Sequence, residues 1–348
     1  MTRFSIIIAA YNVAPYVGDC IDSLGRQSYG DFEVLFVDDA STDDTSAVAR
    51  EHAGDDARFR FFSLERNSGQ SAARNVGLDA ATGEFLLFLD ADDYYSDDAL
   101  AVMDERISAH DLDQLHFAAR TIYENRRLRR ERYENQEVRA SVEGVMSSVD
   151  LYVEMERTHA FRPMASLSAT RRSLIEGVGL RFCEGIIHED LLFNLQTVPL
   201  AQRAEFLNEP LYWRRMREGS TMTQAFSMRN VHGLFTVAQT LRSWLDREAP
   251  NYSRAFCDAF AARVYDTYHI AARYLFDIDE NDVEVYRDGL DARTRADFDM
   301  HVLELHRSLK GIYDEVCGSL TYRVGRVFVA LPSWVKSRVK MPQAKPGE

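Results

Sequence analysis

The chain has 348 residues, 46% hydrophobic and 28% charged, with a formal net charge of -14 at pH 7. It is long enough to bury a full core with an appendage, and its acidity argues against nucleic acid as a partner, because phosphate binding needs a basic face. Cys20, Cys183, Cys257 and Cys317 stand far apart without a C-x-x-C pair, which fits buried thiols in a reducing compartment rather than a disulfide framework or a zinc site.

In chain order, the apolar run at 4–9 is too short for a signal peptide or a membrane span and reads as a first strand. No other segment has the ~20 apolar residues of a spanning helix, so the expected location is cytoplasmic. Further strand patterns at 32–38, 59–63 and 84–89 alternate with helical patterns at 16–27, 42–52, 70–80 and 97–110. That alternation predicts right-handed βαβ crossovers and a mostly parallel sheet, an α/β fold. Residues 114–123 read as another strand, and the Arg- and Glu-dense stretch 124–139 as an exposed charged excursion. A helix after Ser147, a strand near 165–170, a helix over about 188–200 and a strand pair at 204–207 and 211–214 follow.

Beyond about Gln224 strand signals fade. Residues 228–247, 252–276 and 297–316 carry helical periodicity with apolar stripes, which predicts a small helical subdomain. The expected division is therefore 1–223, 224–320 and a tail at 321–348. In that tail Arg323, Arg326, Lys336, Arg338, Lys340 and Lys345 face a single acid, Glu348, among Val324, Phe328, Leu331 and Trp334. A basic amphipathic stretch on an acidic protein fits the plane of an anionic membrane surface, with a tail docked on the helical subdomain as the alternative.

The chemistry gathers at strand ends. The buried run Phe85-Leu86-Leu87-Phe88-Leu89 stops at Asp90-Ala91-Asp92-Asp93, and in an open α/β sheet ligands bind outside the carboxyl ends of the strands. Paired carboxylates with one spacer suit a hard divalent cation shared with substrate phosphates; a strand end with a helix cap is the plainer alternative. Strand one empties Ala10-Tyr11-Asn12 onto the same edge, and strand two empties Asp38-Asp39. Tyr11 suits stacking on a base, and Asp39 suits hydrogen bonds from a base N–H or a ribose hydroxyl. Capping of the next helix is already served by Ser41, Thr42 and Asp43, which leaves the two acids surplus. The turn Asn67-Ser68-Gly69 opens a helix whose N-terminus favours an anion, with Arg74 one turn in to reach a diphosphate. A G-x-G-x-x-G after strand one and a G-x-x-x-x-G-K-[ST] loop are both missing, which removes the main support for a dinucleotide dehydrogenase or a P-loop enzyme.

Taken together, and in this order and spacing, these segments resemble the family 2 glycosyltransferases, whose GT-A fold is a Rossmann-like nucleotide-sugar-binding domain. The resemblance covers roughly the first two-thirds of the chain; one departure is Ala9-Ala10, where many relatives carry Pro. It implies that Ala10, Tyr11, Asn12, Asp38, Asp39, Asn67, Gly69, Arg74, Asp90 and Ala91 line the nucleotide-sugar site, with Asp90 near the ribose. Asp92, with Asp90, would bind Mn²⁺ or Mg²⁺ on the diphosphate. Gly185-Ile186-Ile187-His188-Glu189-Asp190 matches the family's Glu-Asp motif, which makes Asp190, beside Glu189, the expected general base; acids in a first helical turn are the structural alternative. Arg214, or Arg215 or Arg217, would meet the diphosphate from a basic loop. The implied function is inverting transfer of a sugar from a nucleotide donor, expected to be a UDP-sugar, to a glycan hydroxyl, expected to be polyprenyl-linked at the inner membrane face. A sugar nucleotidyltransferase and an inactive nucleotide-sugar or glycan-binding scaffold are the rivals.

Overall fold

The computed structural model describes residues 2–131, 142–220 and 226–318. The basic tail at 321–348 and the far part of the charged excursion lie outside the described residues. The chain groups into two compact units, Met1–Thr267 and Tyr268–Glu348, a division later than the boundary expected after residue 223.

The first unit opens with β1 (Phe4–Ala10), α1 (Ala14–Gly25), β2 (Phe32–Asp38), α2 (Thr45–Ala53), β3 (Phe59–Ser63), α3 (Gln70–Ala80) and β4 (Phe85–Asp90). A two-residue strand β5 (Tyr94–Tyr95) comes next, then α4 (Ala99–His110), β6 (Gln114–Tyr123) and α5 (Arg126–Glu131). After α6 (Ser148–Arg157), β7 (Ser168–Arg171), α7 (Arg172–Gly177), α8 (Glu189–Thr197) and β8 (Ala204–Met216) come two long helices, α9 (Met228–Glu248) and α10 (Arg254–Tyr274). The expected strand pair at 204–207 and 211–214 is one strand. Its ladder with β6 shifts register between Phe117 and Ala118, where Pro210 becomes the partner, because proline brings no N–H to the ladder.

The eight strands form one sheet in the order β3-β2-β1-β4-β7-β6-β8-β5. β3, β2, β1 and β4 run parallel, as do β6 and β8, while β7 is antiparallel to both of its neighbours and β5 is antiparallel to β8. Successive side chains of β1 enter different cores: Ile6 and Ile8 join Val34, Phe36, Leu87 and Leu89, whereas Ile7 joins Leu35, Leu86 and Phe88. Burial on both faces explains why these strands read as unbroken apolar runs. The helices beyond the sheet add aromatic packing: Tyr152 of α6 meets Phe256 and Phe260 of α10 at ring-centroid distances of 5.8 and 6.1 Å. Contacts of this kind tie the chain past residue 223 to the sheet-bearing unit.

The described part of the second unit holds α11 (Glu280–Asp288), α12 (Ala292–Phe298) and α13 (Glu304–Gly318), the last two separated by a π turn at Asp299–Leu303. The single helix expected over 297–316 is broken there. Arg287 Nε and Nη2 each donate to one Asp299 carboxylate oxygen, both at 2.6 Å, and Phe298 and Val302 are fully buried.

Candidate active site

Register decides which side chains share an edge. Ala10 pairs with Asp38 and Ala9 with Asp90, so the carboxyl ends of β1, β2 and β4 stand side by side. The turns leaving β1 and β2 are laced together. Asn12 Oδ1 accepts the Thr42 amide at 2.8 Å, Asn12 N donates to Ser41 Oγ at 3.1 Å, and Asp39 N donates to the Ala10 carbonyl at 2.8 Å. Asn12 and Ala40 both adopt left-handed backbone, φ 50° and 57°, an uncommon state for residues other than glycine. Tyr11 stands 43% exposed.

Asp38 and Asp39 are both buried. Asp38 accepts the Ser41 amide at 3.1 Å; Asp39 gives one oxygen to the Ser68 amide at 2.7 Å and the other to the Gly69 amide at 2.8 Å. Each carboxylate oxygen can accept a second bond. The carboxylate therefore holds the turn before α3, where Gly69 needs φ 90°. Asn67 is exposed on that turn.

The acidic triplet divides its labour. Asp90 Oδ1 accepts from Gln70 Nε2 at 2.9 Å and from Arg74 Nη2 at 2.8 Å. Asp92 accepts from Arg217 Nε at 2.7 Å, and Ala91 between them is buried. Asp93, only 3% exposed, is bound by Tyr212 OH and by the Arg215 amide, both at 2.6 Å. Burial pushes the Asp92 carboxyl up against the pull of Arg217. Burial, then the charges of Asp92 and Asp90, push Asp93 well above the carboxylate range.

Arg74 is itself buried, and its other nitrogen, Nη1, donates to Glu189 Oε1 at 2.9 Å. Its guanidinium also lies 5.0 Å from the Phe182 ring centroid. The residue expected to contact a diphosphate is thus an ionic bridge from the end of β4 to the start of α8. Asp190, in the same first turn of α8, accepts the Leu191 amide at 2.8 Å. Burial raises its carboxyl above the ordinary value, with Asp90 adding to the rise and Arg74 and Arg214 opposing it. Glu189 is also raised by burial, against the pull of Arg74.

The basic residues of β8 and the turn after it fall into two groups. Arg214 acts electrostatically on Asp190. Arg215 donates to the Asp92 carbonyl at 3.0 Å and to Asp19 Oδ2 at 2.6 Å, and Arg217 takes the Asp92 carboxylate. Alternation along a strand sends Arg214 and Arg215 to opposite faces. Sequence reasoning missed the inward roles of Asp93 and Tyr212, and also missed Tyr16, whose ring lies 5.3 Å from the Arg215 guanidinium and 4.9 Å from that of Arg217. The Asp90–Asp93 spacing flagged a cluster, but only the β5–β8 pairing shows which carboxylate turns inward.

A model of glycosyl transferase family 2 matches residues 5–178, half of the 348-residue chain. The chain belongs to this family. Among relatives in that family, an uncharacterised glycosyltransferase of Bacillus subtilis, EpsJ, is 34% identical over 62% of this chain and 62% of its own length. The poly(ribitol-phosphate) beta-N-acetylglucosaminyltransferase TarS of Staphylococcus aureus is 27% identical over 65% of this chain and 38% of its own length. The chain thus spans less than two-thirds of each of these relatives. The crystal structure of S. aureus TarS 1–349 in complex with UDP-GlcNAc superposes over 94% of this chain and 93% of its own, at TM-score 0.60 and 20% identity. The mannosyltransferase PcManGT of Pyrobaculum calidifontis, in complex with GDP-Man and Mn²⁺, superposes over 96% of this chain and 85% of its own, at TM-score 0.55 and 18% identity. These likenesses establish the GT-A fold. The Glu189–Asp190 pair and the β8 arginines lie outside the segment that the family model covers.

Proposed function

We propose that this chain is an inverting glycosyltransferase that moves a sugar from a nucleotide donor, a UDP-sugar, to a hydroxyl of a glycan. One observation carries the reading: buried Arg74 links Asp90 at the strand edge to Glu189 beside Asp190. Donor-side carboxylates and a candidate base thereby belong to one connected site.

In this reading Tyr11 stacks on the base, and the Asp38–Asp39 and Asn67–Gly69 turns receive base and ribose. Asp190 accepts the proton of the acceptor hydroxyl as its oxygen bonds to the anomeric carbon. The bond from that carbon to the diphosphate breaks on the opposite face, its electron pair leaving with the nucleoside diphosphate, so the configuration inverts. A carboxylate raised by burial is a stronger base than one in water, which suits this step. Glu189 acts through Arg74, which leaves Asp190 as the group that meets the acceptor. In the same reading Arg215 and Arg217, which hold Asp92, serve the side where the diphosphate charge grows.

A divalent cation fits the donor set in a limited way. Asp90 and Asp92 offer hard carboxylate oxygens, yet among the described residues no group of three His, Cys, Asp or Glu side chains converges as a cage. Mg²⁺ commonly uses one or two carboxylates and completes its shell with substrate phosphates and water, so Asp92, with Asp90, would hold Mn²⁺ or Mg²⁺ together with the donor. When bound, the metal neutralises charge on the leaving diphosphate.

TarS, named for a poly(ribitol-phosphate) acceptor and solved with UDP-GlcNAc, supports a surface-glycan setting and a UDP donor. Among the described residues no helix is long and apolar enough to cross a membrane. A lipid-linked acceptor met at the inner membrane face through the basic tail at 321–348 completes the proposal. A panel of UDP- and GDP-sugars, scored for nucleoside diphosphate release with Mn²⁺, Mg²⁺ or chelator, tests it. Metal-stimulated release from a UDP-sugar is expected. Nucleotide binding indifferent to metal, with no release on any acceptor, would instead identify a binding scaffold.

A further inference from the structure

The loop that delivers Asp190 has an uncommon backbone. Gly185 and His188 both adopt left-handed conformations, φ 81° and 71°, and His188 immediately precedes α8. A non-glycine residue holds such a state only where the surroundings over-determine it. The surroundings here include α9. A Cβ built at Gly233 of that helix would overlap the carbonyl oxygen of Ile187 and come within 3.0 and 3.1 Å of its carbonyl carbon and amide nitrogen. The obstacle is backbone, which cannot swing aside as a side chain can. α9 is anchored at its own start, where Ser227 N donates to Asn230 Oδ1 at 3.0 Å, and its Val231, Leu234 and Val237 are buried.

We propose that Gly233 is a positioning residue for the transfer reaction. The bare face of α9 braces Ile187, keeps His188 left-handed, and so sets the first turn of α8 at the angle that presents Asp190 to the acceptor. The inference rests on the assignment of Asp190 as general base. It gives a helix beyond the family-matched segment a part in catalysis, and it explains why a glycine stands mid-helix, where it weakens the helix relative to alanine.

The test compares Gly233→Ala with Thr240→Ala, an exposed position on the same helix. Hydrogen exchange of amides 185–191 reads the positioning directly, titration calorimetry reads donor affinity, and kcat reads transfer. In Gly233→Ala, faster exchange confined to that segment is expected, with donor Kd within about twofold of the parent and kcat down about 10–100-fold, the scale of a misplacement near 1 Å. Thr240→Ala should match the parent. Unchanged exchange, unchanged kcat, or kcat and donor affinity falling together would each overturn the proposal. Should Gly233→Ala fail to fold, Ile187→Gly, which leaves the carbonyl against α9 but gives the braced backbone more freedom, relaxes the segment from the loop side, and the same split decides. Faster exchange in a protein whose parent releases no nucleotide from any donor would sustain the brace and refute the glycosyltransferase assignment instead.

Discussion

At the residue scale, Asp92 and Asp190 divide the proposed reaction between donor and acceptor, and their substitutions should fail differently. Asp92→Ala is expected to lose metal-dependent donor binding in calorimetry. Asp190→Asn should keep donor affinity while kcat drops about 10²–10⁴-fold, the usual worth of a positioned base; a parallel loss of affinity would reassign it. Because the Asp190 carboxyl is raised and must be ionised to act, kcat should climb with pH through a midpoint above the ordinary 3.8, and Asp190→Asn should abolish that limb. Arg74 makes a different kind of contribution. Its buried guanidinium faces Asp90 and Glu189, so Arg74→Ala strands charge in the interior and should cost about 3 kcal/mol in urea unfolding, since breaking a buried pair leaves its partner uncompensated. A cost near zero would mean that solvent reaches these carboxylates.

At the element scale, β8 joins the site to the sheet. Its Tyr212 hydroxyl binds Asp93, and its Arg215 amide binds the same carboxylate, so the strand carrying the basic residues is pinned to the loop carrying the acidic ones. Tyr212→Phe removes one donor from a buried acceptor and should destabilise the protein by about 1–3 kcal/mol, measured as a shift in the denaturation midpoint. The membrane contact proposed for the basic stretch 321–348 is separable from turnover. Removing residues 321–348 should release the protein from anionic vesicles in a sedimentation assay while leaving turnover of a soluble acceptor intact. Undiminished vesicle binding would remove the tail from the acceptor proposal.

For the whole molecule, pH acts on stability through a buried histidine and, in the opposite sense, through the carboxyls at the edge. His116 on β6 is buried, and burial lowers its pKa to about 4. The unfolded chain, with an ordinary histidine near 6.5, takes up the proton first. The stabilising contribution is therefore complete above about pH 6.5 and lost as pH falls towards 4, at most about 3 kcal/mol. The raised carboxyls of Asp92, Asp93, Glu189 and Asp190 act in the opposite sense, because the fold favours their protonated forms. The His116 part is isolated by comparing urea midpoints at pH 7 and 4.5 in the parent and in His116→Gln, which should lose less stability over that interval. Equal losses would mean that water reaches the imidazole.

Local signals make much of this protein legible in its sequence. Period and punctuation place β1 to β4 and α1 to α4 within a few residues, because two-sided burial writes apolar runs in β1, β2 and β4 and strand ends collect turn and acidic residues. The same signals bring Tyr11, Asp39 and Asp90 to one edge, whereas the Glu189–Asp190 turn stands out only through the resemblance to the family's Glu-Asp motif. Pairing across long sequence separations was invisible. Nothing local says that Arg74 spends both arms on Asp90 and Glu189, that Asp93 turns inward to Tyr212, or that Gly233 braces Ile187. Those facts depend on which surfaces meet once the chain is packed. A sequence lists donors and acceptors; the tertiary structure assigns their partners, and with them the difference between a carboxylate that builds the site and one left to act in it.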